Sequence, residues 1–279
     1  MTPQEGIANA RQAARNLLKR FGVVTLQHVD VEAFAARLGV SIVNARLRGA
    51  LAQLVVNAFR ARILISRRVT NPAVRRAAIA HELAHYVLRH PTPPVAEMCS
   101  PRPQVPCSDV RDFENEANAF ALELLTPTRA VAEVCDVAPM TLTAAGQLSM
   151  SCWVPVEAAA IRITERSDRM CAAVYCVDGR IAWVSPSGPF IHELANFVGP
   201  ALTPGYPLDP RSMASRVTRG ELCVPGLVTA GAWLADARIE EPELTEHAIP
   251  VGDDGAVLVM LWAGLHEFWR AQRSHAIAG

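Results

Sequence analysis

The stretch NPAVRRAAIAHELAHYVLRHP, residues 71–91, decides how this chain is read. Asn71 is a good helix cap and Pro72 suits the first helical position, so a helix is predicted from 72 that stops before Pro91. Inside it lie His81, Glu82, His85 and His90. Residues i and i+4 of a helix share a face. His81 and His85 can therefore offer two imidazole nitrogens to one ion about 2.0–2.1 Å from each. Glu82, one position round, is no third ligand for that pair, but it can reach a water on the ion and take its proton as a carbonyl is attacked. Random order of these residues gives H-E-x-x-H on the order of once per hundred chains. The apolar neighbours Ile79, Leu83, Val87 and Leu88 argue further against a merely solvated polar face.

A catalytic ion needs a third protein ligand and an open position. The extended H-E-x-x-H-x-x-G-x-x-H pattern is excluded, because Leu88 and Pro91 stand where it needs glycine and histidine. His90 is five residues beyond His85 and off the ligand face, and reads as a helix-end residue favourable to the dipole. A glutamate from the following helix remains. DFENEANAFALELLTP, residues 112–127, offers Glu114, Glu116 and Glu123. Glu116, which shares a face with Phe120 and Glu123, is the first choice and Glu114 the second. The phrase HELA recurs at 192–195, but Asn196 replaces the second histidine and Pro189 and Pro200 hem the segment. That copy reads as an ordinary capped helix.

Working outward, 279 residues allow two domains, and 51% hydrophobic content marks an ordinary globular chain. Basic and acidic residues balance at 27 each, which argues against phosphate tracking as the main activity. The seven cysteines contain no C-x-x-C pair, the N-terminus is an amphipathic charged helix rather than a signal peptide, and no apolar run could span a bilayer. A cytoplasmic protein with reduced thiols is the expectation. Helices are predicted over 7–20, with Ile7, Ala10, Ala14, Leu17 and Leu18 as the apolar stripe, and from an Asp30 cap to Gly39. SIVNARL and RARILISRR read as strands, 91–107 as a proline-rich loop, and Ser108 as the cap of the second motif helix. Two short helices are expected within 140–166, and a hairpin in RMCAAVYCVDGRIAWVS, since Asp-Gly favours a tight turn. GLVTAGAWLADARIE, TEHAIPV and GAVLVMLWAG add strands, and a last helix is expected at 264–276.

The linked motifs RRAAIAHELAHYVLRH and ENEANAFALELLTP, preceded by VDVEAFAARLGVSI, resemble the ImmA/IrrE family of metallo-endopeptidases over about residues 10–130. The resemblance implies an α+β protein: a mainly helical zincin-like domain with a small sheet at 1–135, a helix-turn-helix-like segment at 136–166, and a strand-richer C-terminal domain at 167–279. By looser analogy the last is a GAF-like sensor. It also implies His81 and His85 as zinc ligands, Glu82 as general base, Glu116 as third ligand, and a helix-turn-helix repressor as the substrate. Its cleavage would release stress-response or mobile-element genes. Manganese is the alternative ion. The segment 141–166 has few basic residues outside Arg162 and Arg166, so packing or substrate docking is favoured there over DNA reading. Two other classes stay open. One is a binding module that sequesters its partner around a structural metal closed by Cys99 or Cys107. The other is a direct DNA-binding regulator. Tyr175, Tyr206 and His192 are candidates for stabilising the oxyanion.

Overall fold

Thr2 opens the first helix with a reciprocal cap: its hydroxyl accepts from the Glu5 backbone N–H, and the Glu5 carboxylate accepts from the Thr2 backbone N–H at 2.8 Å. The computed structural model describes residues 2–23, 29–91, 112–135, 140–194, 202–234, 243–252 and 255–263. The chain divides into two compact units, residues 1–130 with 148–158, and residues 131–147 with 159–279. The architecture is α+β.

In the first unit α1 (Pro3–Arg20) buries Gly6, Ala10, Ala14, Leu17 and Leu18. Gly6 takes the place expected of Ile7, because the stripe meets another helix at close range. α2 (Val31–Arg37) is capped by Asp30, whose carboxylate accepts from Ala33 N–H at 2.9 Å. A three-stranded sheet follows, from β1 (Val40–Ala45), β2 (Ala52–Val56) and β3 (Ala61–Ser66). Its order is β1-β3-β2, with β1 parallel and β2 antiparallel to β3. The β2 strand was not anticipated: only Ala52 and Leu54 are buried and Val55 and Val56 are exposed, so it lacks a clear apolar alternation. α3 (Pro72–Leu88) packs on β2 and β3, and α4 (Asp112–Leu125) packs on both α1 and α3. Ile63, Ile65, Ile79, Leu83, Phe120 and Leu124 are the large side chains closed off between these layers.

Thr126 and Pro127 end α4 as expected, and α5 (Thr128–Cys135) follows. The two short helices of the middle segment are α6 (Leu142–Cys152) and α7 (Val156–Arg166). In the second unit the expected hairpin is β4 (Met170–Val177) and β5 (Arg180–Pro186). Asp178 and Gly179 both turn with positive φ, 51° and 68°, as a two-residue hairpin of this twist requires. After α8 (Gly188–Leu194) and α9 (Met213–Thr218) come β6 (Gly226–Thr229), β7 (Glu243–Val251) and β8 (Ala256–Ala263). They complete an antiparallel sheet of order β5-β4-β8-β7-β6. GLVTAGAWL is a strand only through Thr229, then a 3-10 turn at Ala230–Ala232. Beyond Pro91 the loop expected at 91–107, with Cys99 and Cys107, the expected Ser108 cap, and the helix expected at 264–276 lie outside the described residues.

Both faces of the large sheet are covered. Met170, Ala172, Val174 and Cys176 join one core with Phe190, Trp233 and Leu234. On the other face Thr164 of α7 hydrogen bonds Ser185 at 3.0 Å. Cys171 and Cys176 are both buried and point to opposite faces, and burial raises both thiols, Cys176 to about 12. Both are packing groups. Glu246 is enclosed in the core and accepts from Ala214 N–H at 2.7 Å and Trp233 Nε1–H at 2.9 Å, tying α9 and the 3-10 turn to β7. In the first unit, truncating Phe120 empties the contact between α4 and its neighbours. Phe120→Ala is expected to destabilise that unit by about 3–5 kcal/mol, read as a lower denaturant midpoint at unchanged slope.

Candidate metal centre

α3 starts where the sequence says it should. The Asn71 side-chain oxygen accepts from Ala73 N–H at 2.9 Å and Val74 N–H at 3.3 Å, and Pro72 fills the first turn. With the register fixed, His81 and His85 stand one turn apart, ring centroids 4.9 Å from each other, both facing α4. Their Nε2 atoms are 3.1 Å apart. The Glu114 carboxylate, in the first turn of α4, closes the group: Oε2 is 3.1 Å from His81 Nε2 and Oε1 3.5 Å from His85 Nε2. Among the described residues these three form the one cluster able to hold a metal ion, with ligand atoms all within 4.8 Å of one another.

The donor set fits a divalent ion. Ligands about 2.0–2.1 Å from a tetrahedral ion stand about 3.3 Å apart, which the three separations bracket. His81 Nδ1–H donates to Asn118 Oδ1 at 2.9 Å, one turn after Glu114 on the same face of α4. That bond aims Nε2 of His81 at the cluster, where an ion would displace the proton it shares with Glu114. Burial lowers the affinity of His81 for a proton, but the Glu114 hydrogen bond and the Glu82 charge outweigh it and raise its pKa. Burial, and then the positive charge of His81, push His85 down to about 3, so it stays a neutral imidazole. The hydrogen bond from His81 holds Glu114 below its ordinary range, against the opposing effect of burial. Imidazole beside carboxylate, without enough solvent to separate them, suits a small hard or borderline cation.

Glu82 is buried beside His81 on the adjoining face of α3, and its charge acts on that histidine. Glu116 is not in the cluster. Two residues on from Glu114, it turns to another side of α4, where its Oε2 is 3.0 Å from His90 Nε2 and its carboxylate lies against Gly6 of α1. Glu116, Phe120 and Glu123 do share a buried face, as the sequence implied, but that face meets α1, where Glu123 pairs with Arg15 at 3.4 Å. Glu114 therefore stands where Glu116 was expected. The signal was present in the sequence: Asn118 at i+4 from Glu114 supplies the oxygen that orients His81.

His90 also departs from the expectation of a helix-end residue attracted by the dipole. It is buried, and its Nδ1 is 3.0 Å from His85 Nδ1. The second HELA copy carries an exposed His192 on the seven-residue α8. That histidine, Tyr175 and Tyr206 belong to the second unit, where Tyr175 is stacked on Trp183 at 5.4 Å.

A helix with H-E-x-x-H set against a helix with E-x-E-A-N-x-F-A is a specific pairing, and the comparison with protein families agrees. Residues 26–164 match the peptidase M78 family, described as the IrrE N-terminal-like domain. Through those residues the chain belongs to this family. Its members are metallopeptidases, which accords with the cluster. Among solved structures the chain is similar to a Mycobacterium tuberculosis transcriptional regulator, with a TM-score of 0.53 and 14% identity over 94% of this chain and 82% of that one. At that identity the likeness is one of fold. No curated protein matches the sequence. No described helix is long and apolar enough to cross a membrane.

If the three side chains form the cation site, Glu114→Ala weakens zinc binding by more than about 100-fold, beyond the range of outer hydrogen-bond partners. Competition with a chromogenic chelator measures this, and an unchanged affinity would remove Glu114 from the site.

Proposed function

We propose that the chain is a zinc-dependent endopeptidase that cleaves a protein substrate, in the first instance a helix-turn-helix transcriptional repressor. The observation that carries the chemistry is the convergence of His81, His85 and Glu114 with Glu82 on the next position of the same helix. His81, His85 and Glu114 hold the ion, zinc in the first instance and manganese as the alternative. Bound there, the ion would supply Lewis acidity to a water and to the scissile carbonyl. Glu82 accepts the proton of that water and delivers it to the departing amine, the work of a general base that becomes a general acid. The neighbouring acids and imidazoles are enclosed, which keeps bulk water from screening these charges.

The substrate rests on family membership and on resemblance. Members of the family cleave helix-turn-helix repressors and so release stress-response or mobile-element genes, and the chain shares its fold with a protein described as a transcriptional regulator. Direct DNA reading is disfavoured by Arg162, a basic side chain of α7 that is fully buried and paired with Glu165 at 3.4 Å. A recognition helix needs such side chains in the groove. The strand-rich second unit is read as a GAF-like sensor, and the protein as cytoplasmic, in keeping with the lack of a disulfide among the described cysteines.

The test of mechanism is Glu82→Gln. It is expected to retain zinc and to lose about 10²–10⁴-fold in cleavage rate, measured by incubating the protein with a repressor encoded beside it and mapping the cut. A fully active Glu82→Gln protein would contradict the assignment.

A further inference from the structure

His90 and Glu116 are absorbed by no role so far, yet both are buried, at 7% and 8% exposure, and both reach the site through hydrogen bonds. α3 ends at Leu88, and Arg89 then adopts a left-handed conformation, φ 59° and ψ 39°. A residue other than glycine is uncommon there, and its strain must be held by surrounding contacts. The reversal bonds His90 N–H to His85 C=O at 3.0 Å and folds the His90 ring back beneath His85. Simple helical extrapolation puts His90 on the wrong face because the helix stops one residue earlier.

Protons along the resulting chain can be ordered in one direction. The Glu116 carboxylate only accepts, so His90 Nε2–H donates to it across 3.0 Å. With Nε2 donating, Nδ1 of His90 is the acceptor in the chain and takes the His85 Nδ1–H across 3.0 Å. The lone pair of His85 is thereby fixed on Nε2, the atom 3.1 Å from His81 Nε2 and 3.5 Å from Glu114. His90 cannot join the same ion, because its Nδ1 meets the opposite nitrogen of His85. Glu116 is itself seated deliberately: a Cβ at Gly6 would collide with its carboxylate, so the absence of a side chain on α1 makes the room.

We propose that Glu116 and His90 are positioning residues of the metal centre, a carboxylate–imidazole chain that fixes the tautomer and ring orientation of His85 and increases its strength as a ligand. This rests on the metal-binding reading above. Carboxylates usually hold ligating histidines directly. Here a second imidazole carries the connection from α4 to α3, and ties the C-terminal end of the ligand helix to α1 at the same time.

Zinc affinity of the full chain, measured by chelator competition, tests it without reference to catalysis. His90→Ala and Glu116→Gln are each expected to weaken binding within the roughly 10–100-fold range of such partners, Glu116→Gln at the lower end. The double variant should bind no more weakly than His90→Ala, since one chain is broken twice. His90→Asn restores an acceptor near the Nδ1 position and should recover part of the loss, and in that background Glu116→Gln should change nothing. Thermal unfolding of the metal-free proteins verifies that each variant is folded. Single-variant affinities within twofold of the parent, or losses that multiply in the double variant, would overturn the chain and leave Glu116 and His90 as packing groups. A parent protein that takes up no zinc would overturn the metal reading itself, and the chain with it.

Discussion

The first unit is organised around the crossing of α3 and α4, which brings a carboxylate from the first turn of one helix to two imidazoles in the C-terminal half of the other. Groups of this kind are not tolerated in a packed interior unless each is satisfied. The surrounding structure meets that demand on every side. Asn118 takes the far nitrogen of His81, His90 takes the far nitrogen of His85, Glu116 takes His90, and Gly6 makes space for Glu116. Gly6 on α1 and the left-handed turn at Arg89 follow from this arrangement rather than from local propensity. The apolar layer of Ile79, Leu83, Phe120 and Leu124 then fixes the crossing, since packed side chains yield little to shifts of register.

Much of this was legible from local chemistry. The Asn71–Pro72 start, the i, i+4 histidines, the Thr126–Pro127 stop and the Asp178–Gly179 hairpin turn are set by short-range rules, and the structure follows them. The glutamate was harder to read, for a physical reason. Glu114 and Glu116 are both half to fully enclosed, and burial alone cannot say which neighbour a face meets. The Glu116–Phe120–Glu123 face is buried and continuous, but its partner is α1. His90 was lost for the opposite reason: periodicity holds only while the helix continues, and the chain leaves it at Arg89. The β2 strand, with two of its five residues exposed at one end, gives too little alternation to be distinguished from a loop.

Family membership and site geometry support each other from separate observations. The family match covers 26–164, which contains both motif helices, whereas the cluster is found from atom positions alone. The second unit contributes a double-sided antiparallel sheet in which two buried polar groups are tied across elements: Glu246 by Trp233 and Ala214, and Thr164 by Ser185. The thiols of Cys171 and Cys176 are held protonated by burial, so they serve packing and not nucleophilic chemistry.

What separates a hydrolytic centre from a structural one is whether the fourth position around the ion is kept free of protein. X-ray absorption at the zinc edge of the loaded full-length chain measures this directly. Two imidazole nitrogens and a carboxylate, with solvent in the remaining place, predict nitrogen and oxygen scatterers alone at about 2.0–2.2 Å. A sulfur scatterer at about 2.3 Å, from Cys99 or Cys107, would contradict the account and mark the site as closed.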